Sequence, residues 1–380
     1  MTYNNNKPLS LYIHLPWCVK KCPYCDFNAH PVKGEIPKEN YINHLIEDLN
    51  SHSELLHNRY IQSIFIGGGT PSLFTAQELS PLLSAIRAFP HDPDMEVTIE
   101  VNPGVIDLKQ FSGYYAIGIN RISIGGQSFC DDMLSNLGRV HSGIMTHWAI
   151  REAKSCGFER INLDIMYALP HQTLDQALYD LETFLSYELE HLSWYQLNIE
   201  PNTLFAAKQP ILPKEHLITT IEELGTELLH THSYQQYEIS AWTKNKRSTH
   251  NTNYWHFGDY LGIGCGAHSK ITHTHPFNIQ RLIKHKHPKA YMTDTKIQLD
   301  QFVPESERLL ELAIGYFRTR DKLSFTDFKE KTGLNEHYLK SALNQAFELK
   351  LVEYGDDYIQ TTKKGWLNFN DICLSLSEQS

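Results

Sequence analysis

The sequence of 380 residues predicts an α/β fold: a partial (β/α)6 TIM-like barrel followed by a small C-terminal winged-helix-like α+β domain. Two observations predict it. Short runs rich in β-branched and aromatic residues alternate with longer segments whose apolar residues recur at helical spacing, which is typical of βα units around a parallel sheet. Polar and glycine residues also recur at the end of one strand candidate after another, where the loops of such a sheet converge.

Six strand candidates follow one another in the first half of the chain, at residues 9–15, 61–67, 96–102, 121–126, 160–167 and 192–199. The helical patterns between and after them fall at 39–56, 76–88, 143–156, 174–187 and 214–231. Six such units in order favour one barrel over two separate halves. We therefore expect residues 1–240 to form the barrel.

The pattern loosens after residue 240, and we expect 241–302 to be a connecting segment that contains an HNTNYW motif and a His-rich surface loop. Three further helical patterns and a hairpin-like stretch then predict a C-terminal domain over 303–380. Winged-helix modules often bind DNA, but residues 301–380 contain ten Lys and Arg against thirteen Asp and Glu. We expect a packing or interaction domain.

Composition excludes several classes of function. The formal net charge is -10 and no long Lys/Arg run offsets it, which argues against a nucleic-acid partner. The polar first ten residues lack the apolar run of a signal peptide, and no apolar run is long enough to span a bilayer. We therefore expect a cytoplasmic protein.

Cys18, Cys22 and Cys25 form a C-x3-C-x2-C motif inside the stretch WCVKKCPYCDFNAH, residues 17–30. The other four cysteines are scattered singly, which does not suit a disulfide framework. Thiolates bind soft metals, and this spacing lets one short loop wrap a single centre. The motif therefore predicts a metal site.

Three interpretations of the motif remain open from the residues alone. A structural zinc would need a fourth ligand, for which Asp26, His14 or His30 could serve. The cysteines could also be present without any metal. A [4Fe-4S] cluster held by three cysteines would leave one iron open to a small molecule, which would make it a reaction site.

With Tyr24 before its third cysteine, the motif resembles the signature of the radical S-adenosylmethionine (radical SAM) superfamily. The stretch LYIHLPWCVKKCPYCDFN is similar to the coproporphyrinogen oxidase-like branch of that superfamily, and the resemblance extends from about residue 8 to 370. It implies a radical SAM barrel in which S-adenosyl-L-methionine (SAM) chelates the open iron and is cleaved to a 5'-deoxyadenosyl radical. It also implies an electron donor such as flavodoxin or ferredoxin.

The resemblance further implies which strand-end residues bind SAM. Those matched to the SAM on the cluster are Tyr12, Gly67, Gly68, Gly69, Thr70 and Glu100. Those matched to a second SAM in the oxidases are Gln127, Arg139 and Asp164. The alternatives are an isolated turn for the three glycines and an internal polar network between strands for the second set.

Two groups share these motifs within the branch. The oxidases carry another cysteine directly beyond the motif and a longer N-terminal extension, whereas this chain has Asp26 and Phe27 there and only eleven residues before Tyr12. HNTNYW is instead similar to the H-N-x-x-Y-W motif of the haem-binding group. That resemblance implies a haem chaperone, with His250 and Tyr254 either near the haem or acting as hydrogen-bonded loop residues that shape the site. The further histidines between residues 256 and 287 could also be haem ligands, although a His-rich surface loop is favoured.

The implied partners are haem, a membrane-associated haem-acceptor protein and, as an assembly, a homodimer. Three other functions stay open: an anaerobic oxidative decarboxylase of coproporphyrinogen III in porphyrin biosynthesis, a radical SAM methyltransferase and a zinc-stabilised scaffold. Within the haem chaperone hypothesis, SAM could be cleaved or could have a regulatory role that couples the cluster to haem release.

Overall fold

In a computed structural model that describes residues 7–293 and 296–377, most strands belong to one mixed sheet of twelve strands. The strands in the barrel half of the chain are β1 (Pro8–Leu15), β2 (Trp17–Cys18), β3 (His30–Pro31), β4 (Tyr60–Gly68), β5 (His91–Val101), β6 (Arg121–Gln127), β7 (Arg160–Tyr167) and β8 (His191–Gln196). The later strands are β9 (Gln235–Glu238), β10 (Ala241–Thr243), β11 (Tyr260–Ile263), β12 (His268–Thr274), β13 (Phe277–Lys284), β14 (Ile297–Phe302), β15 (Leu323–Ser324), β16 (Val352–Tyr354) and β17 (Tyr358–Thr361).

The large sheet has the order β14-β13-β12-β11-β1-β4-β5-β6-β7-β8-β10-β9. Neighbours from β11 to β8 are parallel, whereas β12 to β14 on one side and β10 and β9 on the other pair antiparallel. All six predicted strands are present, adjacent and in the predicted order. The α/β radical SAM-type fold expected from the sequence is therefore confirmed.

Helices cover the sheet and build the C-terminal region. In the first 231 residues they are α1 (Lys38–Ser51), α2 (Ser53–His57), α3 (Ala76–Arg87), α4 (Gln110–Ala116), α5 (Asp131–Asn136), α6 (Gly143–Ser155), α7 (Leu174–Ser186), α8 (Leu204–Ala207) and α9 (Glu215–Thr231). Beyond them lie α10 (Thr249–Trp255), α11 (Pro288–Tyr291), α12 (Glu305–Tyr316), α13 (Phe325–Thr332), α14 (Glu336–Ala342), α15 (Asn344–Glu348), α16 (Lys363–Leu367) and α17 (Phe369–Ser377). No helix in the described ranges is long and apolar enough to cross a membrane.

Local sequence explains where the long barrel helices begin. At the start of α3, the Thr75 side chain accepts from the Glu78 N–H and the Glu78 carboxylate accepts from the Thr75 N–H. Thr173 and Gln176 form the same reciprocal pair at the start of α7. Each pair satisfies two backbone donors that the first turn of a helix leaves without partners. The strands between these helices are mostly buried, as expected for a parallel sheet covered by helices.

Residues 241–302, expected as a connecting segment, contribute β10 to β14 to the large sheet. The expectation of a His-rich surface loop within it is wrong in part, because His273 is buried in β12 and its Nε2 lies 2.9 Å from Gln280 Oε1. Antiparallel pairing of β12 with β13 buries this stretch, although its polar composition resembles that of a loop. The limits of the three predicted segments stay a prediction.

The C-terminal region has a second hydrophobic core, separate from the core of the sheet. Helices α12 to α15 pack beside a small sheet in which β17 lies between β15 and β16. Three helical patterns and a hairpin were expected there; the third pattern is divided into α14 and α15. The arrangement is winged-helix-like.

Candidate cluster and cofactor site

The cysteine loop follows the first strand of the barrel. β1 ends at Leu15, and β2 pairs in parallel with β3, which closes the base of the loop. The His30 N–H donates to the Pro16 carbonyl at 2.7 Å, and the Val32 N–H donates to the Cys18 carbonyl at 2.9 Å. These bonds hold the loop at the C-terminal edge of the sheet, where the chemistry of such folds is found.

All three thiols of the motif line one cavity of about 480 Å³, the thiol cavity, together with Tyr24. Each is a free cysteine; Cys18 is buried, and Cys22 and Cys25 are partly buried. Burial raises the pKa of Cys18 to about 11 and raises that of Cys25 as well. Iron binding would therefore displace thiol protons. Among the described residues, no three His, Cys, Asp or Glu side chains are arranged to hold a single metal ion.

The glycine turn at the end of β4 meets the base of the cysteine loop. A Cβ at Gly69 would lie 2.5 Å from the Trp17 carbonyl oxygen. Gly68 has a φ of 116°, and a Cβ there would lie 2.7 Å from the His14 imidazole. Glycine is therefore needed for the two loops to touch. Gly68, Gly69 and Thr70 also line the thiol cavity, while their contact with SAM stays a prediction.

Two carboxyl groups, those of Glu100 on β5 and Asp164 on β7, face the thiol cavity. The Gly68 N–H donates to Glu100 Oε2 at 3.1 Å, and the Asn162 side-chain amide donates to Asp164 Oδ1 at 2.8 Å. Burial, together with the charge of Asp164, raises the pKa of Glu100 to about 8. At neutral pH the Glu100 carboxyl is therefore mostly protonated and can donate a hydrogen bond.

Gln127 and Arg139, expected with Asp164 to hold a second SAM, line the same cavity. The Tyr195 hydroxyl donates to Gln127 Oε1 at 2.8 Å. The Arg139 guanidinium donates to the Gly125 carbonyl at 2.9 Å and lies 3.7 Å from Cys22 Sγ. The structure thus brings the three predicted residues together. It also ties Gln127 to β8 and Arg139 to β6 by hydrogen bonds, as the polar-network alternative expects.

A second cavity of about 720 Å³, the tyrosine cavity, adjoins the thiol cavity, and Gly68 and Glu100 line both. Tyr12 and Tyr254 line the tyrosine cavity. The Tyr12 hydroxyl lies 2.9 Å from His14 Nδ1. Two of the predicted cofactor residues therefore face this second cavity and not the thiols.

His250 lies in the core and lines neither cavity. Its Nδ1 is 3.1 Å from Ser63 Oγ, and its backbone N–H donates to Glu96 Oε1 at 3.0 Å. Its ring packs against Phe65 and edge-on against Tyr254, and burial lowers its pKa to about 3. His250 and Tyr254 belong to helix α10, so the expected loop is a helix, and of the two only Tyr254 reaches a cavity.

Comparison with known proteins identifies the family. The family model described as the radical SAM superfamily matches residues 12–183. The heme chaperone HemW of Haemophilus influenzae is 43% identical over 379 residues, which covers 98% of this chain and 99% of the relative. The chain belongs to the HemW family. HemW of Escherichia coli, another relative, is 42% identical over 367 residues and covers 96% of this chain and 97% of its own length.

A solved structure supports the fold of this HemW-family chain independently. The coproporphyrinogen III oxidase HemN from Escherichia coli, a radical SAM enzyme, superposes with a TM-score of 0.82 at 22% identity. The match covers 98% of this chain and 90% of that chain. At this identity the likeness establishes the fold alone.

Membership of the radical SAM superfamily implies a [4Fe-4S] cluster and SAM as cofactors. The residues of this HemW-family chain fit both groups. Three free thiols line one cavity, and the Arg139 guanidinium beside Cys22 provides positive charge next to thiolates. Glu100 places a mostly neutral carboxyl in the same cavity. The donor set suits an iron–sulfur cluster with one iron left for a small ligand.

Among the residues of the thiol cavity that were not predicted as site residues are Ser193 and Tyr195 on β8. They are two positions apart, so they project from the same face of the strand. Their polar groups within a strand candidate were the signal that could have identified them. His268, discussed below, is one of the histidines between residues 256 and 287, and this concentration of histidines was the signal that could have identified it.

Proposed function

We propose that this chain is a haem chaperone that binds haem, a [4Fe-4S] cluster and SAM and transfers haem to an acceptor protein. The observation that carries the proposal is its identity over nearly the full length to proteins named heme chaperones. The three free thiols on one cavity add independent support for the cluster. The proposal also includes a membrane-associated acceptor, an electron donor such as flavodoxin or ferredoxin, and a homodimer.

The cluster is assigned to Cys18, Cys22 and Cys25. SAM is assigned to the thiol cavity, which is lined by Tyr24, Gly68, Gly69, Thr70, Glu100, Gln127, Arg139 and Asp164, together with Tyr12 of the adjoining tyrosine cavity. When bound, the cluster supplies one electron for reductive chemistry on SAM. The side chains of the protein exclude water from the cofactor site and determine the net charge around it. Because Glu100 is mostly neutral at neutral pH, it adds little negative charge beside an anionic thiolate site.

Asp26 and Phe27 favour haem handling over porphyrin synthesis. Both are exposed on the cysteine loop, at the positions where the oxidases of this branch carry a further cysteine. Haem contact is assigned to Tyr254, which reaches the tyrosine cavity. His250 is assigned an indirect role, because its ring is enclosed between Phe65 and Tyr254.

Substitution of a motif cysteine tests the cluster. We expect anaerobically reconstituted wild-type protein to contain iron and acid-labile sulfide and to show thiolate-to-iron charge-transfer absorption. Cys18→Ala should lose the iron, the acid-labile sulfide and the charge-transfer absorption, since two thiolates do not retain a [4Fe-4S] cluster stably. Cys156→Ala, at the end of α6 and outside both cavities, is the matched control and should load as wild type does.

A haemin titration of the same preparations tests cargo binding. Wild-type protein should shift the Soret band in a saturable way, and a separate haem-free acceptor added afterwards should gain haem absorption. Zinc without sulfide in the purified protein would contradict the cluster assignment. The lack of any saturable Soret shift in the wild type would contradict the chaperone proposal.

A further inference from the structure

The tyrosine cavity is lined by three histidines, and two of them are already engaged. The His14 ring lies 2.9 Å from the Tyr12 hydroxyl through Nδ1 and 2.9 Å from the Asn28 carbonyl through Nε2. The Nε2 of His30 lies 3.2 Å from Asn28 Oδ1. Of the three, His268 is the one for which the described residues show no partner at either ring nitrogen.

His268 stands at the start of β12, with its side chain exposed to the cavity. Within residues 7–293 and 296–377, its ring nitrogens have no hydrogen-bond or ion-pair partner. Partial burial, followed by the charges of Arg281 and Lys286, lowers the pKa of His268. The ring is therefore neutral at neutral pH, which is the form that binds metal ions.

The rest of the tyrosine cavity combines aromatic surface with two cations and with the carboxyl groups of Asp26 and Glu100. The rings of Tyr254 and Tyr260 meet edge-on with centroids 4.4 Å apart, and Phe27 is 59% exposed at the rim. Lys21 and Lys286 are exposed at the same cavity, and the Lys286 ammonium has no ion-pair partner among the described residues. Aromatic walls with two cations at the rim suit a flat apolar macrocycle that carries two carboxylates.

We infer that haem binds in the tyrosine cavity, with His268 as a ligand to the iron and with Lys21 and Lys286 beside the propionates. This inference rests on the proposed haem chaperone function and names its binding site. Because Gly68 and Glu100 line both cavities, the porphyrin lies next to the cysteine loop. His250 cannot take this role without leaving the core, since it is 1% exposed.

Haemin titration of the full-length, cluster-loaded chain tests the ligand. His268→Ala should bind haemin about tenfold more weakly than wild type, with a shifted Soret band and a changed coordination state by resonance Raman spectroscopy. Added imidazole should restore the wild-type spectrum, because it replaces the missing ligand. His216→Ala, an exposed histidine on α9, is the matched control and should behave as wild type does.

A second variant tests the propionate contacts. Lys286→Glu should weaken binding of haemin but leave binding of haemin dimethyl ester unchanged, because the ester has no carboxylates. Circular dichroism melting and iron content should match the wild type for both variants, since both residues are exposed.

The outcomes separate the two proposals. If His268→Ala binds haemin with wild-type affinity and spectrum, the site is wrong and the haem chaperone proposal stands. If the wild type itself shows no saturable binding, the proposed function fails, and the site fails with it. Equal weakening of haemin and its dimethyl ester by Lys286→Glu would overturn the assignment of the propionates.

Discussion

Two glutamates on the same strand, Glu96 and Glu100, differ in charge because their neighbours differ. Burial raises the pKa of Glu100 to about 8, and the charge of Asp164 adds to the effect. Burial acts on Glu96 too, but the charges of Arg121 and Arg160 outweigh it and lower its pKa to about 2. At the scale of single residues, β5 therefore carries a charged carboxylate at the base of the barrel and a mostly neutral carboxyl at the cofactor end.

We predict that Glu100→Gln makes the stability of the cluster-free protein less dependent on pH. A carboxyl whose folded pKa is about 8 takes up a proton on folding, so the contribution of Glu100 to the stability of the wild type falls as pH rises from about 5 to 8. This lowers the free energy of unfolding by at most about 1.4 kcal/mol per pH unit. Urea unfolding across this range should show a shallower slope for the variant than for wild type or for the exposed Glu39→Gln control. Parallel slopes for all three proteins would contradict the protonated state.

At the scale of elements, the antiparallel strands β12 to β14 are joined to the barrel by a buried cluster of charged groups around Asp259. Arg59, just before β4, donates to Asp259 Oδ2 at 2.9 Å, and Lys270 on β12 donates to Asp259 Oδ1 at 2.9 Å. Thr272 adds its N–H and its hydroxyl to the same carboxylate. The cations and hydrogen bonds outweigh burial and hold the pKa of Asp259 well below its usual range.

We predict that Asp259→Asn destabilises the protein by about 3 to 5 kcal/mol, because it leaves two buried cations without a counter-charge. In the wild type, the ionised Asp259 stabilises the fold at neutral pH, and this stabilisation is lost as pH falls towards its depressed pKa. The difference in stability between wild type and Asp259→Asn should therefore become smaller in acid. Urea midpoints at neutral and acidic pH measure both effects. Asp94→Asn, an exposed aspartate on β5, should change neither midpoint appreciably.

At the scale of the whole molecule, the C-terminal region docks on the barrel beside α10. The Arg318 guanidinium donates to Glu238 on β9 at 2.7 Å and lies over the Trp255 ring at 3.8 Å. Asp321 lies 2.9 Å from His256 Nε2. The helix that carries the HNTNYW motif is therefore held from both sides, by the sheet and by the C-terminal core.

We predict that Arg318→Ala lowers the stability of this docking by about 3 kcal/mol, because Glu238 is 3% exposed and would be left unpaired. Hydrogen exchange should increase across α10 and α12 more than in β4 or β5. Arg320→Ala, two residues further along and exposed, is the matched control. Equal protection of α10 in wild type and both variants would show that the salt bridge does not hold the interface.

Local sequence was enough to predict the six parallel strands, the long helices around them and the cysteine motif, although not the short helix α4 between β5 and β6. These follow from local periodicity, because a buried strand and an amphipathic helix each impose a short repeat on their own residues. The cofactor-end residues Glu100, Gln127 and Asp164 were also predictable, since the C-terminal ends of parallel strands meet at one edge. Their convergence on the thiol cavity agrees with that reasoning.

Three features depend on the three-dimensional structure and could not be predicted from local sequence: the pairing of the later strands, the histidines that reach a cavity and the carboxyl group that is neutral. β12 to β14 carry polar residues without a clear period, and their place at the sheet edge depends on partners distant in sequence. His250 belongs to the motif yet is enclosed in the core, whereas His268, one of several histidines between residues 256 and 287, faces the tyrosine cavity. Burial and charge depend on the whole surroundings of a group, and a local pattern does not contain them.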